Sequence, residues 1–428
     1  MKVLAFTSLF PCQERPAHGI FLRHRLRHMA SLKGVRLRVL APVPWFPFKS
    51  RLFGEYGILA RVPQHDVSSG MLVRFTRYFM IPKLGVWLAP LTIAYSAARK
   101  IRDMQRSGFD PDVIDAYYLY PEGVAACLVG AWLKKPVMLT ALGSDVSQIA
   151  LQRVPGLMIR WALKQAIATT AVCQALIDAM ALRGAETTKL LVVEHGVDTT
   201  LFHPPPDRLR SRAELGLKRF TIISVGHLIP RKGHDLAIMA LQSLPDVELI
   251  IVGQGPEHDR LVALARTADV EGRVRFIGSV DQAQLAKLLG AADLLVSGSE
   301  REGIANVLLE SLACGTPIAA TPVWGSPEVI TDEAIGLLFT ERSVAGMVAG
   351  IDRAMRSSWD REAIRQYGLR YRWERTAEQH LEIMVKAIGQ TMPADPCHGS
   401  IINTSDSKAR TANCGSGSIV QSIEGGGT

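Results

Sequence analysis

SGSEREGIANVLLESLACGTPIAAT, residues 297–321, joins two apolar runs through a Gly-containing turn. DLLVSGS (293–299) reads as a buried strand, EREG turns, and ANVLLESLAC (305–314) is a helix with Gly315 as its stop and Pro317 just beyond. TPIAAT is the next strand, and Asn306 is the expected N-cap. Glu302 then lies in the loop and Glu310, eight residues on, in the first turns of the helix. Such a helix start binds phosphate through its free N–H groups, and flanking carboxylates accept hydrogen bonds from sugar hydroxyls. The spacing alone also fits a solvated turn residue and a favourable first-turn acid.

The alternation continues outward. FTIISVG (220–226), VELIIVGQG (247–255) and VRFIGSV (274–280) are strands with helices between. The first two hundred residues repeat the pattern with KVLAFTS, VRLRVLAPV, DVIDAYY, PVMLTAL and TTAVC. Strands separated by helical stretches imply α/β domains with mostly parallel, doubly wound sheets. A chain of 428 residues exceeds the size at which one core stops growing, so two domains are expected. The Pro-rich FHPPPDRLR (202–210) divides them. The expected organisation is a Rossmann-like domain over 1–203, a second over 204–358, a helical segment over 359–388 and a disordered tail over 389–428. Ligands of such sheets bind beyond the carboxyl ends of the strands, which makes the strand-end loops the place to look.

Six scattered cysteines, with no CxxC and no paired His cluster, point to reduced thiols in a cytoplasmic setting and against a zinc site. MKVLAFTSLFPCQERP reads as a strand rather than a signal peptide. LGVWLAPLTIAYSAA (84–98) is shorter than the ~20 residues a spanning helix needs and carries Pro90, so no transmembrane helix is expected. Charge is uneven: residues 1–200 hold 25 basic and 13 acidic side chains, the remainder 24 and 27. The cationic first half suits nucleic acid, anionic lipid or a phosphorylated substrate, and it contains no nucleic-acid-binding motif.

Ser299 to Thr321 resembles, almost position by position, the signature of family 4 glycosyltransferases, S-x-x-E-G-x-x-N-x-x-L-E-A-x-A-C-G-x-P-V-x-A-T. The likeness extends over about residues 1–388. It implies the GT-B fold, two Rossmann-like domains facing a cleft, and transfer of a sugar from a nucleoside diphosphate with retention. It further implies that Glu302 meets the transferred sugar and that Glu310 holds the ribose. The amides around Gly303, Ile304, Ala305, Asn306 and Val307 would serve sugar and phosphate. SVGHLIPRKGHD (224–235) is similar to the family's V-G-R-L-x-x-x-K-G, whose Arg and Lys neutralise the donor diphosphate. Lys232 stands at the Lys position and His227 at the Arg position, with Arg231 adjacent as a second source of the guanidinium. IVGQGP (251–256), with Gly253 and Gly255, resembles a loop near the nucleotide base; a plain tight turn is the other reading. Gly19, in HGIF, sits where the family brings a glycine loop to the donor phosphate, or simply starts a helix.

Two first-domain segments depart from the family pattern. DAYYLYPEG and KPVMLTALGSDV match segments usually written with histidine, but carry Tyr117 and Leu142 there. Leucine neither donates a hydrogen bond nor accepts a proton. Asp145 is the nearest ionisable residue, either catalytic or the cap of the following helix. Catalysis then rests on electrostatic stabilisation of the departing diphosphate by Lys232 and Arg231, and no metal or other cofactor is expected.

IFLRHRLRHMASLK (20–33) reads as a basic amphipathic helix, and PWFPFKSRLF (44–53) adds interfacial aromatics. Each suits either an anionic membrane or packing on the sheet. With the charge of the first half they imply peripheral contact with the inner face of the plasma membrane. The acceptor they imply is a polyprenyl-diphosphate-linked saccharide, as in exopolysaccharide or surface-glycan assembly. Two rival readings are a sugar-nucleotide epimerase of the same fold and a sugar-nucleotide binder or assembly protein that has lost catalysis.

Overall fold

The inner strands of the first sheet are almost wholly buried: VIDAY and VMLTA carry five buried residues each, as strands covered on both faces require. The computed structural model describes residues 1–391, apart from 17, 68–69 and 81–84. β1 (Lys2–Phe6), β2 (Arg36–Pro44), β3 (His65–Asp66), β4 (Val73–Tyr78), β5 (Val113–Tyr117), β6 (Val137–Ala141), β7 (Ala168–Ala171) and β8 (Leu190–Val192) form one sheet. Its order is β3-β4-β2-β1-β5-β6-β7-β8, parallel except for the β3–β4 pair. β9 (Phe220–Val225), β10 (Val247–Val252), β11 (Val274–Gly278), β12 (Leu294–Ser297), β13 (Ile318–Ala320) and β14 (Gly336–Leu338) form the second. Its order is β11-β10-β9-β12-β13-β14, parallel throughout. In each sheet the strand order reverses between two neighbours, β1 with β5 and β9 with β12. That reversal opens a crevice at their carboxyl ends.

Helix starts follow local chemistry where it is available. Asp281 accepts the N–H of Gln284 at 2.8 Å, and Asp360 those of Glu362 and Ala363 at 3.0 Å each. Asn306 does not do this: Ala305 is the N-cap, and the helix Asn306–Ala313 opens with Asn306 already helical and no side chain capping it. The segment between β2 and β5 holds β4, whose VRFTRY alternates only partly and was not anticipated as a strand, and the long helix Gly85–Arg106 with Pro90 inside it.

The helix Ile20–Ser31 corrects an expectation. Leu22, Leu26 and Met29 are fully buried, in a cluster shared with Ala377, Met384 and Ala387 of the terminal helix Trp373–Thr391. Its apolar face is therefore taken by protein, not by lipid. Even Arg25 is buried, and it joins a polar network between the two helices and β5. Its guanidinium donates to His380 Nδ1 (2.9 Å), which leaves the proton on Nε2 to go to Asp115 (3.0 Å). Tyr117 donates its hydroxyl to the same carboxylate oxygen at 2.6 Å. Burial lowers the His380 pKa, consistent with a neutral imidazole there. The aromatic segment stays outside: Phe48 stacks on Phe53 at 5.1 Å, and both are about half exposed, as is Trp45.

The described cysteines, Cys12, Cys127, Cys173 and Cys314, are buried and unpaired. No described helix is long and apolar enough to cross a membrane. The terminal helix runs to Thr391, and the rest of the segment 389–428 lies outside the described residues.

Candidate active site

The second sheet's crevice is built by two loops, one after β9 and one after β12. They approach closely because Gly233 has no side chain. Its φ is +70°, and a Cβ there would fall 2.3 Å from the Gly298 carbonyl oxygen. Backbone bonding fixes the approach, with Glu300 N–H donating to the Arg231 carbonyl at 2.8 Å. Arg231 in turn gives a guanidinium N–H to the Arg301 carbonyl at 3.2 Å. Under this clasp the Lys232 ammonium donates to Glu302 Oε1, and the Ser299 hydroxyl donates to the same oxygen at 3.1 Å. The lysine and glutamate side chains are 17% and 14% exposed, so both are held in place while still open to the crevice. His227 is exposed, and its ring makes no hydrogen bond with the described residues. Of the two candidates beside Lys232, only Arg231 is positioned by the protein.

Glu310 and Asn306 face elsewhere in the same cleft. They line a small cavity of about 30 Å³ with Phe21 and His24 of the first domain, Gln282, and Trp373. His24 is held there by Gln282 (3.1 Å) and by stacking on Trp373. Burial pushes the Glu310 carboxyl up to about 7. Among the described residues it has no hydrogen-bond donor, and the Asn306 side-chain oxygen is buried without one. Two neighbouring acceptors that the protein does not satisfy suit a ligand presenting hydroxyl groups. Ile304 is itself buried, and Ala305 and Val307 pack against the core, so this stretch offers a ligand its backbone rather than its side chains.

From the first domain, the loop after β6 meets the loop after β12. A Cβ on Gly303 would lie 2.6 Å from the Leu142 carbonyl oxygen, so the two backbones touch there. Leu142 packs against the apolar clusters. Asp145 is fully buried, and its carboxylate accepts N–H groups from Leu119 (2.9 Å), Gly143 (2.8 Å), Val146 (3.1 Å) and Leu142 (3.2 Å). With its lone pairs so occupied it shapes the loop, and it has no oxygen free to take an acceptor proton. Nor does it cap the following helix: Gly143 is the N-cap of the short helix Ser144–Ser147, and Asp145 lies inside it. Tyr117, at the other substituted histidine position, lies in the buried network away from the cleft.

The remaining candidates are explained by backbone contact. Gly19 precedes the Ile20–Ser31 helix at φ +69°, against the Leu9 carbonyl. Gly253 and Gly255 let their loop lie on the backbone of Gly226 and Leu228, which favours the tight-turn reading of IVGQGP. Residues overlooked in the sequence are those that join the domains. Tyr118 bonds Ser144 at 2.6 Å and feels the charge of Arg231. Glu328 accepts the N–H groups of Gln174 (2.6 Å) and Ala175 (2.9 Å), so a second-domain carboxylate caps a first-domain helix. No local pattern marks such a residue, because its partners are 154 and 153 positions away.

Residues 207–371 match the family model described as glycosyl transferases group 1. The putative teichuronic acid biosynthesis glycosyltransferase TuaC of Bacillus subtilis is 28% identical over 335 residues, 76% of this chain and 82% of that protein. The D-inositol 3-phosphate glycosyltransferase of Mycobacterium tuberculosis is 33% identical over 226 residues, 49% of this chain and 46% of that protein. Among solved structures, sucrose-phosphate synthase from Thermosynechococcus elongatus superposes with a TM-score of 0.72 at 19% identity, covering 91% of this chain and 99% of that one. Anabaena Alr3699/HepE in complex with UDP gives a TM-score of 0.67 at 21% identity, covering 90% and 100%. At these identities the superpositions speak to the fold, two parallel-sheet α/β domains in the GT-B arrangement.

Proposed function

We propose that this chain, a GT-B glycosyltransferase whose residues 207–371 match the group 1 family model, moves a sugar from a nucleoside diphosphate to a lipid-linked glycan acceptor, with retention, in surface-polysaccharide assembly. The observation that carries the reading is the Lys232–Glu302 pair at the reversal point between β9 and β12.

In this reading the donor diphosphate enters beside Lys232 and Arg231, and the uncapped start of the Asn306–Ala313 helix adds backbone N–H groups to its binding. These charges are proposed to do the neutralising without a metal ion. Glu310 and Asn306 accept hydrogen bonds from the ribose, and Glu302 faces the transferred sugar. With Asp145 occupied and Leu142 unable to take a proton, the acceptor hydroxyl attacks from the face the diphosphate is leaving. The sugar–phosphate bond breaks, the new glycosidic bond forms, and the hydroxyl proton passes to the departing diphosphate. What the protein supplies is stabilisation of negative charge on that leaving group.

The lipid-linked acceptor and a peripheral position on the inner face of the plasma membrane are supported by the cationic first half and the exposed Trp45, Phe48 and Phe53. The name of TuaC, a teichuronic acid biosynthesis glycosyltransferase, supports the polysaccharide-assembly part of the reading. The test is transfer from a panel of sugar nucleotides to polyisoprenyl-diphosphate-linked and free saccharides, with the anomeric configuration of the product determined. Transfer only to free, water-soluble acceptors would remove the lipid linkage, and an inverted product would remove the retaining mechanism.

A further inference from the structure

The helix Arg153–Gln165, RVPGLMIRWALKQ, borders two different cavities on adjacent faces. On one side Gly156, Ile159 and Leu163 help floor a cavity of about 300 Å³ whose rim carries Arg153, Arg160 and Arg183. No carboxylate lines it. Arg183 gives one guanidinium N–H to the Ala179 carbonyl, and the side chains of Arg153 and Arg160 enter no hydrogen bond or ion pair with the described residues. Three guanidinium groups around one apolar cup repel each other, and an anion with several charges would offset that repulsion.

On the other side Leu157, Met158 and Trp161 face Leu91 and Leu128 across a groove of about 290 Å³. Its lining is apolar throughout. Leu157 and Leu91 are about half exposed. The inner wall of the cationic cup is Leu119 and Val146, from the loops that hold Tyr118 and Asp145 at the cleft. Leu119 and Val146 thus link the cup to the Asp145 loop that meets Gly303, and the helix Arg153–Gln165 links the cup to the apolar groove.

We infer that the cup and groove bind the diphosphate and first isoprenoid units of a polyisoprenyl-diphosphate-linked acceptor. The diphosphate lies against Arg153, Arg160 and Arg183, the isoprenoid in the groove between Leu91 and Trp161, and the sugar beyond Leu119 towards the cleft. The inference rests on the lipid-linked reading above and names the residues that would recognise the lipid. A single branched hydrocarbon chain suits a groove walled by three helices. A bilayer surface suits instead the projecting aromatics near Trp45, which lie on a different segment.

The test uses the full chain and farnesyl diphosphate as probe, with inorganic diphosphate, farnesol and phosphatidylglycerol vesicles as comparison ligands. Farnesyl diphosphate is expected to bind more tightly than diphosphate or farnesol alone. Combined Arg153→Ala and Arg160→Ala substitution should weaken it by about tenfold or more, since two charge-assisted contacts are lost, while nucleoside-diphosphate binding is unchanged. Leu157→Asp should weaken farnesyl diphosphate but not inorganic diphosphate. Both arginines are exposed and unpaired, so the double variant is expected to fold, and retained nucleotide binding verifies it. Equal affinity of wild type and double variant for farnesyl diphosphate would overturn the site, as would binding of vesicles alone. If the double variant still transfers to a lipid-linked saccharide with unaltered KM, this site falls while the lipid-linked reading stands. If wild type transfers only to free saccharides, that reading falls too.

Discussion

Lys232 and Glu302, seventy residues apart in the chain, share a direct hydrogen bond across the gap between β9 and β12. The pair holds the lysine at the crevice before any donor is present, so its charge is already placed where a leaving diphosphate would develop its own. Lys232→Ala is expected to lower kcat by about 10²–10³, the scale of losing one preorganised electrostatic contact, with the fold intact. Steady-state transfer or donor hydrolysis measures it, and a variant within a factor of three of wild type would remove Lys232 from the chemistry.

Glu310 carries a pH prediction. Its carboxyl is pushed up to about 7 by burial, and the ribose reading needs the ionised form as acceptor. Nucleoside-diphosphate affinity should therefore rise between pH 6 and pH 8 and fall as the pH drops through 7. In Glu310→Gln that dependence should flatten. Calorimetry across this range, on both proteins, checks it; parallel pH profiles would mean that another group is titrating.

Glu122 should affect stability instead. It is buried, accepts the Ser8 hydroxyl at one oxygen, and leaves the other without a partner, and burial raises its pKa from 4.5 to about 7. A carboxyl raised on folding binds more proton when folded, so stability falls as pH climbs from about 4.5 to about 7 and stays reduced above. Glu122→Gln keeps an acceptor for Ser8 and cannot ionise. At pH 8 it should be more stable than wild type by on the order of 1–3 kcal/mol, with the difference vanishing near pH 4.5. Urea denaturation at the two pH values decides it.

Asp115 holds together the buried network of Arg25, Tyr117 and His380. Asp115→Ala removes the acceptor of both Tyr117 and His380 and, among the described residues, the only carboxylate in a network that buries the Arg25 charge, a change expected to cost about 3–5 kcal/mol. Because His380 belongs to the terminal helix, that helix should loosen from the first domain, which hydrogen exchange would detect at Trp373–Thr391. Protection equal to wild type there would mean that apolar packing alone seats the helix.

Much of this protein was legible before any coordinates. Hydrophobic periodicity reports which residues of a segment are buried, so the alternation of strands and helices and the strand-turn-helix around Glu302 could be read directly. The sequence alone also placed Lys232 and Glu302 in strand-end loops and Glu310 in the helix that follows. Periodicity does not say what covers a buried face. That is why the Ile20–Ser31 helix looked suited to lipid until the terminal helix was seen packed on it. Nor does it say which partners a polar group will find. Asp145 had the chemistry of a base, and the amides that occupy it come partly from Leu119, 26 residues away. Glu328 and His380 find their partners more than 150 residues away. Local sequence determined the elements and the kinds of charge at their ends; tertiary structure decided which charges were left open to a ligand, because hydrogen-bond satisfaction depends on neighbours that only folding brings together.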